Sequence, residues 1–215
     1  MRLTHLCLGL AMCVWAGAAA AQDRGRAGDF HYYVLSLSWS PNWCATTGDA
    51  RNAEQCRRGT GHAFVLHGLW PQYEQGWPQD CATAERDPSR RESQAMADIM
   101  GSGGLAWYQW QKHGRCTGLS ARGYYDTARE AVGRIAIPKV FKGLDRDVRL
   151  PASVVEEAFL QANPDLSADM ITITCSDGYI QEARICLTKD LTPRRCGSDA
   201  LRDCRMTNAR MDAVR

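Results

Sequence analysis

Ten cysteines in 215 residues constrain this chain more than any other feature. Cys7 and Cys13 lie in an apolar opening stretch. The other eight, Cys44, Cys56, Cys81, Cys116, Cys175, Cys186, Cys196 and Cys204, are spread through the remainder. Arg2 gives the opening a positive start, Leu6 to Ala20 carry no charge, and Ala18 to Ala21 offer small residues for cleavage before Gln22. This pattern predicts a signal peptide over residues 1–21, too short and too weakly flanked for a membrane anchor. An even set of thiols in an exported chain reads as four disulfides. Eight thiols allow about 105 pairings, so spacing does not choose among them, although Cys44 and Cys56 enclose a polar loop that suits a short bridge. The chain has no Cys-x-x-Cys and no His-Glu-x-x-His, so neither a metal site nor a cofactor is expected.

A chain of this length builds one good core, and residues 22–215 are expected to form a single domain. The formal charge of +2 gives little long-range attraction, so a nucleic acid would have to be held by local charges. Beyond the leader no apolar run approaches about 18 residues, so no membrane span is expected. Residues 22–29 read as a flexible polar leader. Tyr33, Leu35 and Leu37 alternate along a strand from His31 to Trp39, ended by Ser40-Pro41. His62 to His67 reads as a second strand that Gly68 and Pro71 end, which leaves His67 at its C-terminal end beside a cleft. Residues 72–88 read as a loop, and Asp87-Pro88-Ser89 opens a helix to about Met100. Leu105 to Cys116 reads as a helix with Gln109, Lys112, His113 and Cys116 on one face. Trp107 and Trp110 form a neighbouring stripe that anchors it. Ala121 to Ile135 is a helix burying Tyr124, Ala128, Ala131, Val132 and Ile135. Ser153 and Glu156 form a capping box for another, which ends before Asn163-Pro164. Met170–Cys175 and Tyr179–Leu187 are strands joined at Ser176-Asp177-Gly178. Strands early and late with helices between predict an α+β fold: a mostly antiparallel central sheet with helices packed against it, stapled by disulfides.

Two runs carry the chemistry: Phe64-Val-Leu-His67-Gly-Leu-Trp70-Pro71 and Trp107-Tyr108-Gln109-Trp110-Gln111-Lys112-His113-Gly114-Arg115-Cys116. Each has one histidine beside an aromatic residue and a glycine. His31 and His62 have no such surroundings and read as structural. An imidazole titrates near about 6.5, so two of them can serve as acid and base at neutral pH. Cleaving RNA through its own 2′-hydroxyl needs a base for that hydroxyl and an acid for the departing 5′-oxygen. It also needs cations or hydrogen bonds for the phosphorane, and no metal or protein nucleophile. His67, His113, Lys112 and Gln109 fit that requirement. A positioned acid or base is worth about 10²–10⁴-fold and an oxyanion donor about 10²–10³-fold. Tryptophan and tyrosine stack unpaired bases, and dependence on the 2′-hydroxyl excludes DNA.

His67-Gly-Leu-Trp-Pro71 resembles the first active-site segment of the ribonuclease T2 family, and Trp110-Gln-Lys-His-Gly-Arg-Cys116 resembles the second. Tyr33 to Cys44 is similar to the family's first core strand and the loop after it. Cys175 and Arg184-Ile-Cys-Leu187 are similar to its C-terminal strands. The resemblance implies an exported, metal-independent endoribonuclease that acts on RNA through a 2′,3′-cyclic phosphate; a monomer is expected, and the signal-like opening places it in the periplasm or the medium. It implies that His113 is the general base, His67 the general acid, and Lys112 the stabiliser of the phosphorane, with Trp70 packing beside a histidine or the first base. It also implies the bridges Cys44–Cys56, Cys81–Cys116, Cys175–Cys204 and Cys186–Cys196.

The chain departs from the family pattern where it has Tyr108-Gln109 in place of His-Glu. Tyr108 can donate a hydrogen bond to a phosphate but cannot become cationic. Gln109 keeps the size of glutamate and loses its charge, so activity is expected to persist at a reduced rate or an altered pH optimum. Gln72 occupies a position where some members carry a base-selecting acid, so weak base preference is expected. The alternatives are an RNA-binding relative that has lost catalysis, and a disulfide-rich secreted scaffold with incidental histidines.

Overall fold

The computed structural model describes residues 25–215. The expected signal peptide, residues 1–21, lies outside the described residues. The first strand, β1 (Tyr32–Trp39), has Tyr33, Leu35, Leu37 and Trp39 in the main core. Tyr32 and Val34 on its other face pack with Cys186 and Cys196 in a smaller cluster. A short helix, α1 (Ser40–Trp43), follows, with Pro41 in its first turn. The second strand, β2 (Phe64–Gln72), lies at the sheet edge, where Pro71 is tolerated. Four helices come next: α2 (Arg90–Gln94), α3 (Ala97–Met100), α4 (Gly103–Lys112) and α5 (Ala121–Arg134). After α6 (Lys139–Lys142) come β3 (Val148–Leu150) and α7 (Ala152–Ala162). The hairpin of β4 (Ile171–Ser176) and β5 (Tyr179–Leu187) turns at Asp177 and Gly178, both with positive φ, and β6 (Ala209–Met211) closes the sheet.

The strand order is β2-β1-β5-β6-β3, with β4 also paired to β5. All pairings are antiparallel except the single β5–β6 contact between Tyr179 and Arg210. The fold is therefore α+β, as the order of elements predicts. Tyr124, Ala128 and Ala131 of α5 and Val155 and Phe159 of α7 are buried against the apolar face of the sheet. The Phe64 ring meets Trp39 at 5.0 Å and Phe159 at 5.3 Å between centroids, edge-on, a favoured aromatic geometry. Disulfides join Cys44 to Cys56, Cys81 to Cys116, Cys175 to Cys204 and Cys186 to Cys196.

Several local expectations are corrected. The strand carrying His67 does not end at Gly68 but runs to Gln72. The helix expected from Ser89 to Met100 is two pieces, because the chain tightens at Ala95–Met96 so that Met96 and Met100 both enter the core. The Ser153/Glu156 capping box does not form. The cap lies two residues earlier, at Pro151, and the first helical N–H, from Ala152, donates to the Met206 carbonyl. Residues 25–29 are tied down rather than free, since Gly28 N–H donates to the Cys116 carbonyl at 2.9 Å. Trp110 is fully buried, whereas Trp107, expected beside it in the core, is 42% exposed.

The helix expected to run to Cys116 stops at Lys112. His113 leaves the helical region with φ −122°, and Gly114–Thr117 form a separate 3-10 turn. Gly114 presses against Trp110 and Tyr124, and a Cβ there would stand 2.6 Å from the Trp110 ring. The Cys81–Cys116 bridge and the Asp80 N–H bond to the Lys112 carbonyl lock this turn to the loop after β2. Replacing Cys81 and Cys116 together by serine should lower unfolding free energy by about 2–4 kcal/mol in urea titration, and a change below about 0.5 kcal/mol would contradict a clamping role.

Candidate active site

His67 occupies a β-bulge. Along the β1–β2 ladder Leu37 pairs with Leu66 and Ser36 pairs with Gly68, so His67 has no cross-strand partner. The extra residue lets Leu66 and Leu69 both enter the core while His67 and Trp70 line a cavity on the other face. Bulges commonly re-aim side chains beside functional sites. This placement corrects the expectation of a strand end: the bulge, not termination, frees the imidazole. Nδ1 of His67 lies 2.5 Å from Oε1 of Glu182 on β5.

His113 caps the C-terminus of α4, its N–H donating to the Gln109 carbonyl at 2.9 Å. The imidazole is buried, and Nδ1 has no hydrogen-bond partner. Burial, reinforced by the charges of Lys112 and His67, pushes its pKa down from 6.5 to about 3. The ring is therefore neutral across the ordinary pH range, which is the form a general base needs.

Trp70 sits between the two histidines. Its ring centroid is 5.2 Å from that of His67 and 5.4 Å from that of His113. Its Nε1–H donates to Gln109 Oε1 at 2.8 Å, and the Arg184 guanidinium lies over its ring at 5.2 Å. Gln109 is only 1% exposed, so its carbonyl serves Trp70 and its backbone carbonyl serves His113. The expected polar stripe is thus split: Gln109 faces inward, His113 lies just past the helix, and Cys116 is in the disulfide. Tyr108 is half exposed at the cavity mouth, and Lys112 Nζ stands 5.8 Å from its ring centroid.

His67, Trp70, Gln72, Tyr108, Gln109, Lys112 and His113, all singled out from sequence, line one cavity of about 410 Å³. His67 also lines a second cavity of about 340 Å³, whose wall includes Ser38, Asn42, Ser102 and Gln181. The imidazole therefore stands where the two cavities meet. Gln72 is nearly buried, and its Nε2–H donates to the neighbouring Pro71 carbonyl at 3.1 Å.

Glu182, Arg184, Trp77 and Asp199 also line this region and went unnoticed in the sequence. The signal for two of them was present. Glu182 and Arg184 are charged residues two apart on β5, a strand hydrogen-bonded on both sides, and share a face. Arg184 Nε–H donates to Glu182 Oε2 at 2.7 Å. Burial pushes the Glu182 carboxyl up, but hydrogen bonding and charge from His67 and Arg184 outweigh it and hold its pKa at about 2.

The family model for the Ribonuclease T2 family matches residues 30–196. This chain belongs to the ribonuclease T2 family. A ribonuclease of Aeromonas hydrophila is 39% identical over 143 residues, which cover 64% of this chain and 63% of that protein. Ribonuclease I of Escherichia coli is 28% identical over 151 residues, covering 52% of this chain and 56% of the relative. The chain thus spans somewhat under two thirds of these relatives' length. Among solved structures, an RNase-related protein from Calystegia sepium superposes with a TM-score of 0.68 at 18% identity, over 86% of this chain and 98% of that one. RNase NT in complex with 5′-AMP gives 0.62 at 21% identity, over 84% and 97%. These two likenesses concern the fold.

Gly68 tests the packing at the centre of the site. A Cβ there would stand 2.3 Å from both Gln109 Oε1 and Trp70 Nε1. Gly68→Ala should cost about 1–3 kcal/mol in urea titration and shift Trp70 fluorescence, and wild-type stability with an unchanged spectrum would contradict the close packing described.

Proposed function

We propose that this chain is a metal-independent endoribonuclease that cleaves single-stranded RNA, first to a 2′,3′-cyclic phosphate and then to a 3′-phosphate. The observation that carries this reading is the placement of two imidazoles on either side of Trp70, at 5.2 and 5.4 Å, in unlike environments. The family membership and the ribonuclease relatives support the same reading.

His113, neutral and desolvated, takes the proton from the 2′-hydroxyl, and O2′ attacks phosphorus. The P–O5′ bond breaks, and His67 delivers a proton to the departing O5′. In the second step the roles reverse: His67 draws a proton from water, whose oxygen opens the cyclic phosphate, and His113 returns a proton to O2′. Lys112 lines the same cavity and balances the phosphorane charge. Trp70 and Tyr108 offer stacking faces for a base. A phosphate at His67 has a cavity on each side, which suits cleavage within a strand. Gln109 acts through Trp70 rather than on substrate. With the Gln72 amide turned to Pro71, base preference at the first cavity is weak.

The reading includes export to the periplasm or the medium, supported by the four disulfides, which persist in oxidising compartments. Among the described residues no helix is long and apolar enough to cross a membrane. The reading also includes action as a monomer.

Folded protein in excess chelator should cut RNA, leave DNA intact and release cyclic-phosphate ends, with His67→Ala and His113→Ala each losing about 10²–10⁴-fold. Intact RNA across pH 4–8 would overturn the proposal. The pH profile provides a second check. Because the pKa of His113 is depressed, its neutral form persists as pH falls from 6.5 toward about 3. The acid limb of kcat/KM is therefore expected well below 6.5, and a limb at or above that value would contradict the desolvated base. Gln109→Glu retains an acceptor for Trp70 and adds a charge. A faster variant or a displaced optimum is expected from steady-state kinetics on a dinucleotide, and no gain at any pH would show that the amide is no handicap.

A further inference from the structure

Glu182 lies on the central strand β5, opposite Ser38 of β1, with its side chain 8% exposed. A buried carboxylate needs partners for both oxygens, and it has them. Oε1 meets His67 Nδ1 at 2.5 Å, and Oε2 is held by Arg184 through Nε at 2.7 Å and Nη2 at 2.5 Å. Arg184 in turn lies over Trp70, so the carboxylate is fixed by a cation that is itself packed against the ring between the two histidines. A carboxylate accepting at Nδ1 requires the proton on that nitrogen and leaves Nε2 as the nitrogen presented to a substrate.

We propose that Glu182, clamped by Arg184, is a positioning residue that orients His67 and stabilises its protonated form, and thereby loads the acid for the leaving 5′-oxygen. This rests on the reading of His67 as that acid. It supplies from β5 an anion that the active-site helix lacks at Gln109. The charged and titratable groups that share His67's two cavities are Tyr179, Glu182 and Arg184 from β5, Asp177 from the β4–β5 turn, Tyr108, Lys112 and His113 from α4 and its end, and Asp199 from the segment before β6, with Glu182 alone in contact with the ring nitrogen. Glu182 favours the protonated ring, and the cations oppose it. Removing the carboxylate therefore takes away the anion that touches Nδ1 and leaves the neighbouring cations unopposed there.

The test compares two substrates with the full chain: a ribodinucleotide, whose 5′-alkoxide must be protonated, and a ribonucleoside 3′-(4-nitrophenyl phosphate), whose leaving group needs no proton. With the dinucleotide, Glu182→Gln is expected to lower kcat about 10²-fold with KM little changed, and to move the alkaline limb down by about 1 pH unit or more. With the aryl ester the loss should nearly vanish, while His113→Ala stays impaired on both. Glu182→Asp, which keeps the charge, should retain the wild-type alkaline limb, and it reports even where Glu182→Gln folds poorly. Equal losses on the two substrates, or an unmoved alkaline limb, would overturn the proposal. If His67→Ala itself fails to distinguish the substrates, the assignment of His67 as acid falls and the inference with it. A His67→Ala that distinguishes them beside a Glu182→Gln that does not would sink the inference alone.

Discussion

One hydrogen bond joins the strand that carries one imidazole to the helix that ends at the other: Trp70 Nε1–H to Gln109 Oε1, at 2.8 Å. Much of the site depends on it. It sets the indole between His67 and His113, and it requires the bare Cα of Gly68 beneath, because a side chain there would enter the bond. The bulge at His67 lets the strand meet this demand without moving Leu66 and Leu69 from the core. On the helix side, Gly114 lets the chain turn sharply against Trp110 and Tyr124, and the Cys81–Cys116 bridge keeps the turn in place. The Cys81–Cys116 bridge and the geometry of the candidate site are thus one arrangement.

The two histidines are alike in chemistry and unlike in surroundings, which is how one residue type can serve two roles. His113 is desolvated, faces Lys112, and has an unpartnered Nδ1. His67 is about one third exposed and faces a carboxylate whose pKa burial pushes up but His67 and Arg184 pull down, which keeps it charged. Environments that separate the proton affinities of paired groups are a general route to acid–base assignment. Here the unlike surroundings arise mainly from burial of His113 at the helix end, with the adjacent Lys112 adding to it, and from the strand register that sets Glu182 against His67.

The fold class was legible because alternation in β1 and in the β4–β5 hairpin, and the apolar stripe of α5, report burial directly. Six of the seven candidate residues stand in the two short histidine runs and Gln72 follows the first, and the structure gathers all seven around one cavity. Their local geometry was less legible. Gly68 and Pro71 read as a strand end, yet at a sheet edge they are compatible with a strand that continues through a bulge. The i, i+3, i+4 spacing from Gln109 suggested one polar face, but the close approach of Gly114 to Trp110 ends the helix before His113. Trp107 and Trp110 could not be told apart by composition, and only packing separates the exposed ring from the buried one. Glu182 and Arg184 showed only as paired charges on an inner strand, because their relation to His67 spans 115 residues and is made by strand register. The cysteine pairings likewise came with the resemblance and not from spacing.

The central claim is that His67 and His113 flank a single scissile phosphate with Trp70 between them. A crystal structure with a 2′-deoxy dinucleotide, which lacks the nucleophile, tests it most directly. The account predicts the phosphate in the cavity lined by Lys112, the 5′-oxygen of the leaving nucleoside within hydrogen-bonding distance of His67, and the ribose C2′ facing His113. A dinucleotide bound with its phosphate remote from either ring, or with the strand polarity reversed, would contradict the account.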